Sequence, residues 1–112
     1  DGRQTRSFAH VRDVVRAVIE LMERDDTNGE VFNIGNPQEV SIIDLARRIL
    51  ELTGSHSEIR HVPYEEVYGP DFEDLDRRVP DVTKLAGTID WSALQDLDAI
   101  LRAVIETERG KL

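Results

Sequence analysis

Val11-Arg-Asp-Val-Val-Arg-Ala-Val-Ile-Glu-Leu-Met22, followed beyond Asn28-Gly29 by Glu30-Val-Phe-Asn-Ile-Gly35, is the stretch that decides the fold class. In the first segment Val11, Val14, Val15, Val18, Leu21 and Met22 recur at steps of three and four, which lines one face of a helix. Asp13 sits near its start, where a negative charge suits the helix dipole. Asn28-Gly29 reads as a stop and turn, and Glu30 to Gly35 as a short strand closed by Asn36-Pro37. A helix running into a strand is the signature of an α/β arrangement.

The flanks extend this order. Arg3 to His10 lacks helical periodicity and reads as extended. Ser41-Ile-Ile-Asp44 has capping-box spacing and opens a second helix through Ile42, Leu45, Ala46, Ile49 and Leu50, stopped by Gly54. Glu58 to Val62 reads as another strand before Pro63. Tyr64 to Pro80 is long, acidic and aperiodic, and loops of that length in compact domains are usually functional or disordered. Asp81 is placed to cap a short helix through Leu85 and Ala86, ended by Gly87. Ser92-Ala-Leu-Gln95 repeats the capping-box spacing ahead of Leu94, Leu97, Leu101, Val104 and Ile105. The expected fold is α/β: a small layered helix–strand unit covering 1–112 as one region, with too few strands for a complete doubly wound sheet.

Composition narrows the function. Within 112 residues, 14 Lys and Arg face 23 Asp and Glu, for a net charge of −9. That argues against nucleic-acid or acidic-membrane binding, since both surfaces are polyanions that require clustered cations. No window approaches the length of a membrane span, and no signal-peptide pattern opens the chain. The absence of cysteine removes disulfides and thiolate chemistry and fits a reducing, cytoplasmic setting. Because the first residue is Asp1 rather than Met, the sequence is expected to be a piece of a longer protein.

Several chemistries lack their residues. There is no G-x-G-x-x-G or phosphate-loop pattern, and neither Lys84 nor Lys111 follows a tyrosine by four positions. His10, His56 and His61 are not clustered as metal ligands need to be, so no metal site is expected. Asp71, Glu73, Asp74 and Asp76 mimic a calcium loop, but Asp76 stands where that loop needs glycine, and solvated loop charge is the better account. No catalytic residue is assigned to this chain, and alone it is expected to be inactive.

Two arginine-bearing segments carry the positive signal. One is Asp1-Gly-Arg-Gln-Thr-Arg-Ser-Phe8, leading into His10-Val-Arg-Asp13; the other is Tyr68-Gly-Pro-Asp-Phe-Glu-Asp74 with Arg77-Arg-Val-Pro-Asp81. The planar guanidinium matches phosphate oxygens, so one arginine from each segment can clamp a diphosphate. A carboxylate three residues after the second arginine can accept from ribose or sugar hydroxyls. Against this stands the ordinary fate of surface arginines, which are solvated or paired with neighbouring acids.

Four motifs in order resolve that balance. Asp1 to Phe8, Val11 to Val15, Asn33 to Pro37 and Arg78 to Lys84 resemble the D-G-x-Q-x-R-x-F, V-x-D-x-V, N-I-G-N-P and R-x-P-D-x-x-K segments of the extended short-chain dehydrogenase/reductase family. These are the NAD-dependent nucleotide-sugar epimerases, dehydratases and decarboxylases, and the resemblance spans nearly the whole chain. Glu65 to Pro80 also resembles members acting on UDP-sugars, including UDP-glucuronate decarboxylases. The implied fold is the C-terminal substrate-binding portion of an extended Rossmann-type enzyme. The family's glycine-rich NAD-binding part and Tyr-x-x-x-Lys pair are expected N-terminal to Asp1. At the other end, Ser92-Ala93 departs from the Glu-Pro of many relatives.

The resemblance also assigns roles. Arg6 faces the substrate near the diphosphate or sugar, and its counterpart in the decarboxylase branch has been proposed to act in proton transfer. Arg78 pairs with the diphosphate, Asp81 lies near the nucleotide ribose, and Gln4 neighbours the substrate. The implied cofactor is NAD and the implied partner a nucleotide sugar, with a homodimer or strand-swapped dimer available to the isolated piece. Alternatives stand beside these roles. Arg77 can replace Arg78 by a one-residue register shift, with Arg78 preferred. Asp81 can simply cap a helix, Asp13 can be a first-turn charge, and Trp91 can fill core. Tyr64 and Tyr68 border a sugar pocket or form its rim, and Asn33 and Asn36 suit turn backbone. The stripe from Val11 to Met22 is either core or a surface for a missing partner. The rival functional readings are a fragment of a UDP-glucuronate decarboxylase and a non-catalytic protein-interaction domain.

Overall fold

The computed structural model describes residues 1–111, which group into two compact units. The first comprises Asp1–Arg6 and Glu39–Arg78; the second comprises Ser7–Gln38 and the chain from Val79 onward.

The first unit is built on a small mixed sheet. Strand β1 (Thr5–Arg6) runs antiparallel to β2 (Val40–Ser41) and parallel to β3 (Arg77–Arg78), giving the order β2-β1-β3. In register, Thr5 faces Ser41 and Arg77, and Arg6 faces Val40 and Arg78. Helix α2 (Ile42–Thr53) starts directly from β2. The Ser41 side chain caps it by accepting the Asp44 N–H at 3.1 Å, and Gly54 closes it in the left-handed conformation at φ 65°. Both signals are legible in the sequence. Helix α3 (Tyr64–Tyr68) follows.

The second unit holds α1 (Val11–Met22), α4 (Thr83–Ile89) and α5 (Leu97–Arg109). Ala17, Leu85 and Trp91 form its buried cluster, with Leu21, Phe32, Ile34, Ile89 and Ala93 packed against it. Asp13, Ala17 and Leu21 follow one another at four-residue steps, the row α1 turns inward. The stripe read from the sequence divides: Leu21 packs against the core and Val14 is half-buried, while Val11, Val15, Val18 and Met22, with Ile19 among them, are exposed. The core reading therefore holds only for its inward edge.

Asp13 is 3% exposed and organises the far end of the unit. Its two carboxylate oxygens accept the Leu94 and Gln95 N–H groups at 3.2 and 3.0 Å, and its carbonyl accepts the Trp91 indole N–H at 3.1 Å. This corrects the expected capping box at Ser92. The N–H groups that Ser92 needed to cap belong to Asp13, so α5 starts later, where Asp96 accepts the Ala99 N–H at 2.8 Å. Likewise α4 runs through Gly87 and ends at Asp90, which takes φ 50°.

Neither expected strand pairs. Along Glu30 to Gly35, Phe32 and Ile34 turn toward the core cluster while Val31 and Asn33 face water, but no neighbouring strand among the described residues supplies a ladder. Glu58 to Val62 is exposed throughout, so burial gives it no preferred face. The strands that do form beside β1 are β2, which ends in the Ser41 cap itself, and β3, inside the acidic loop.

Candidate functional site

Gln4, Arg6 and Arg78 all belong to the first unit. As Cα partners on adjacent parallel strands, Arg6 and Arg78 project from the same face of the sheet, with strands spaced ~4.8 Å apart. Alternation sends Arg77 to the other face with Thr5. There Glu39 accepts from Arg77 Nε at 2.7 Å, from Arg77 Nη2 at 3.3 Å and from Thr5 Oγ1 at 3.0 Å. These bonds, the Arg77 fork first, hold the Glu39 carboxyl below the usual range. The register thus separates the two candidate arginines: Arg77 is occupied, whereas Arg78 is exposed and its guanidinium has no hydrogen-bond partner among the described residues.

Arg6 is held differently. Its side chain is 17% exposed; Nη2 donates to Asp74 Oδ2 at 2.5 Å and Nη1 to the Thr5 carbonyl at 2.7 Å. The same Oδ2 accepts the Tyr64 hydroxyl at 2.8 Å, and that hydroxyl accepts Gln4 Nε2 at 2.9 Å. Asp74 Oδ1 takes the Leu75 N–H at 2.9 Å. The Tyr64 bond above all, with the Leu75 N–H and the charges of Arg6 and Arg78, keeps the Asp74 carboxyl below its ordinary value. The bond to Asp74 pushes the Tyr64 phenol up.

Asp74 therefore departs from the expectation of a solvated loop charge. The loop places Phe72 against Tyr64 and Tyr68, with ring centroids 5.2 and 4.3 Å apart. Tyr64 and Gln4 also line a cavity of about 420 Å³ with Ile43, Ala46, Val62 and Phe72 among its walls. A larger depression of about 630 Å³ in the second unit is lined by Glu20, Glu23, Arg24 and Asp90; its net negative charge suits a diphosphate poorly.

Asp81 lies in the second unit. Its Oδ1 accepts the Thr83 N–H at 3.0 Å, and the bonds from Thr83 hold the carboxyl below its usual range. This is the helix-start role, one residue before the cap position. Beside it, a Cβ on Gly35 would come within 2.8 Å of Pro80 Cγ, so two of the sequence motifs meet in direct contact. The side chains of Asn33 and Asn36 bond to backbone: Asn33 donates at 3.5 Å to the Asp81 carbonyl, and Asn36 accepts the Gln38 N–H at 3.0 Å.

Comparison with known proteins agrees with these motifs. The GDP-mannose 4,6 dehydratase family model matches residues 1–104. The chain is 51% identical over 85 residues to UDP-N-acetyl-alpha-D-glucosaminuronate decarboxylase of Bacillus cytotoxicus, a match covering 76% of this chain and 26% of that protein. It thus spans about a quarter of that relative's length. Among solved structures, UDP-glucose 4-epimerase of Thermotoga maritima with UDP-glucose is similar over 99% of this chain and 33% of its own, at 30% identity and a TM-score of 0.85. MoeE5 in complex with UDP-glucuronic acid and NAD matches over 100% of this chain and 36% of its own, at 30% identity and a TM-score of 0.78. The chain belongs to the GDP-mannose 4,6 dehydratase family, within the NAD-dependent epimerases and dehydratases of nucleotide sugars that its four motifs resemble.

Proposed function

We propose that residues 1–112 are the C-terminal substrate-binding region of an NAD-dependent nucleotide-sugar-modifying enzyme, and that Arg6 and Arg78 clamp the diphosphate of a UDP-sugar. The observation that carries this reading is the register pairing of Arg6 with Arg78 on one sheet face, while Glu39 occupies Arg77 on the other. Each arginine–phosphate contact contributes roughly 1.5–3 kcal/mol. Energy gathered at this non-reacting handle orients the reacting sugar carbon. Gln4 borders the sugar from the cavity wall, and Asp81 accepts from the ribose.

NAD supplies the hydride acceptor in this reading, but the residues of this chain do not fit it. No glycine-rich pyrophosphate loop occurs in the sequence, and the space beside Gly35 is taken by Pro80, whose Cγ a Cβ there would approach to 2.8 Å. NAD is thus assigned to the part of the enzyme beyond this chain, and the roles of Gln4, Arg6, Arg78 and Asp81 are all roles in binding. The 51% identity to a decarboxylase favours a second, narrower reading, that the enzyme belongs to the branch acting on UDP-uronic acids.

Calorimetric titration of the full-length enzyme with a UDP-sugar tests the clamp. Arg6→Ala and Arg78→Ala are each expected to weaken binding about tenfold to a hundredfold, with uridine unaffected. Unchanged affinity in Arg78→Ala overturns the clamp. Turnover of a panel of nucleotide sugars, followed for epimers, ketosugars and carbon dioxide, assigns the branch.

A further inference from the structure

Resting on that reading, we infer that Asp74 is the positioning residue for Arg6, and that the Tyr64 hydroxyl locks Asp74 in place from the cavity side. The chain Gln4–Tyr64–Asp74–Arg6 is continuous, with successive bonds of 2.9, 2.8 and 2.5 Å.

A guanidinium carries five N–H donors. Asp74 and the Thr5 carbonyl take one each, from Nη2 and Nη1, which fixes both the plane and the rotation of the group. Three donors remain for an incoming anion. Without Asp74 the Arg6 side chain is tied only through the bond to its neighbour's carbonyl, and binding must order it afresh.

The carboxylate also sets the charge at the site. Arg6, Arg78 and Asp74 together carry one net positive charge, and Asp74 senses both arginines. Its cost is repulsion toward an anionic ligand; its gain is a preorganised fork. The hydrogen bonds from Tyr64 and Leu75, one to each carboxylate oxygen, partly offset that charge and hold the carboxylate in place, and the sign of the Asp74→Asn effect measures which of the two terms is larger. Tyr64 adds a link of its own. It touches the cavity wall and Asp74 at once, so a sugar that displaces Gln4 from the phenol is felt at Arg6 through a single residue.

The test is a double-mutant cycle in the full-length enzyme, read by UDP binding with uridine as the reference ligand. Asp74→Asn is expected to weaken UDP about tenfold and leave uridine unchanged, and Asp74→Glu to recover part of the loss. In the Arg6→Ala background, Asp74→Asn is expected to change UDP affinity less than about twofold, because the group it positions is gone. A purely structural role for Asp74 predicts equal losses in both backgrounds and overturns the inference. Tighter UDP binding by Asp74→Asn overturns it too, since the carboxylate then acts as a competitor. Tyr64→Phe keeps the ring packing and is expected to weaken UDP about threefold, so the inference stays falsifiable should Asp74→Asn fold poorly. Loss of affinity in Arg6→Ala with none in Asp74→Asn and Tyr64→Phe sinks this inference and spares the clamp. No loss in Arg6→Ala sinks the clamp itself.

Discussion

Each of the two units of the chain is held together internally by its own physics. Every buried residue among those described lies in the second unit: Asp13, Ala17, Gly35, Asn36, Leu85, Trp91, Ile100 and Leu101. The first unit buries none to that degree, and its α2 has no buried side chain. In place of a core it has two polar chains on opposite sheet faces, Arg77–Glu39–Thr5 on one and Arg6–Asp74–Tyr64–Gln4 on the other. A region tied by partly hydrated charges opens at lower cost than one built on buried apolar contacts. The unit that holds the proposed clamp is the one without a core.

The largest expected effect breaks that comparison from the side of the core. Trp91 fills the second unit's central cluster and is 3% exposed. Trp91→Ala is expected to destabilise that unit by about 3–5 kcal/mol, the cost of emptying an aromatic site. Urea unfolding followed by circular dichroism measures it. A loss under about 1 kcal/mol would mean that the cluster collapses freely and that the contrast between units is overstated.

Acid should separate the units next. Glu39 and Asp74 both have folded pKa values below their ordinary 4.5 and 3.8. Carboxyls shifted in this direction contribute stability above their unfolded pKa and lose it as pH falls through the folded value. The sheet of the first unit is therefore expected to loosen as pH falls below about 4.5 and on through the lowered folded values, ahead of the Trp91 cluster. Backbone chemical shifts of Thr5, Arg6, Val40 and Arg77 should move while those of Ala17 and Leu85 hold. Glu30, paired with Lys84 in the second unit, is lowered as well, but its loss leaves a packed core beneath it. Simultaneous melting of both sets of signals would show that one cooperative unit governs the chain.

The same contrast explains which features are legible in the sequence. Ser41 and Gly54 bound α2 where expected, because a cap is a local bargain between a side chain and a backbone three residues away. Asp13 shows the opposite case. Its carboxylate reaches N–H groups more than 80 residues along the chain and cancels a local capping signal at Ser92 that is otherwise sound. Asp74 escapes a sequence reading for the same reason: 68 residues separate it from Arg6, and nothing within an acidic loop marks one carboxylate as paired. Motif resemblance singles out the arginines and prefers Arg78, while the pairing of Arg77 with Glu39 on the other sheet face comes only from strand register. The segment Glu30 to Gly35 carries a strand's alternation without a strand's neighbour, and alternation alone cannot supply hydrogen-bond partners.

The smallest effect sharpens what "held by charge" means in the first unit. Arg47 and Asp44 on α2 form an ion pair of 3.2 Å with side chains 64% and 62% exposed. On paper this contact resembles the 2.7 Å pair of Arg77 with Glu39. The two differ in what they join: Arg47 links to a residue three positions away on the same helix, whereas the Glu39 carboxylate joins residues at the sheet from three separate segments. An exposed intrahelical pair gains little from its Coulomb energy and gives up side-chain entropy to form. Arg47→Ala is therefore expected to shift Tm by about 2 °C or less, and Glu39→Gln to shift it by more in the same assay. Equal shifts would mean that the number of ion pairs, rather than the segments they bridge, sets the stability of the unit that carries Arg6 and Arg78.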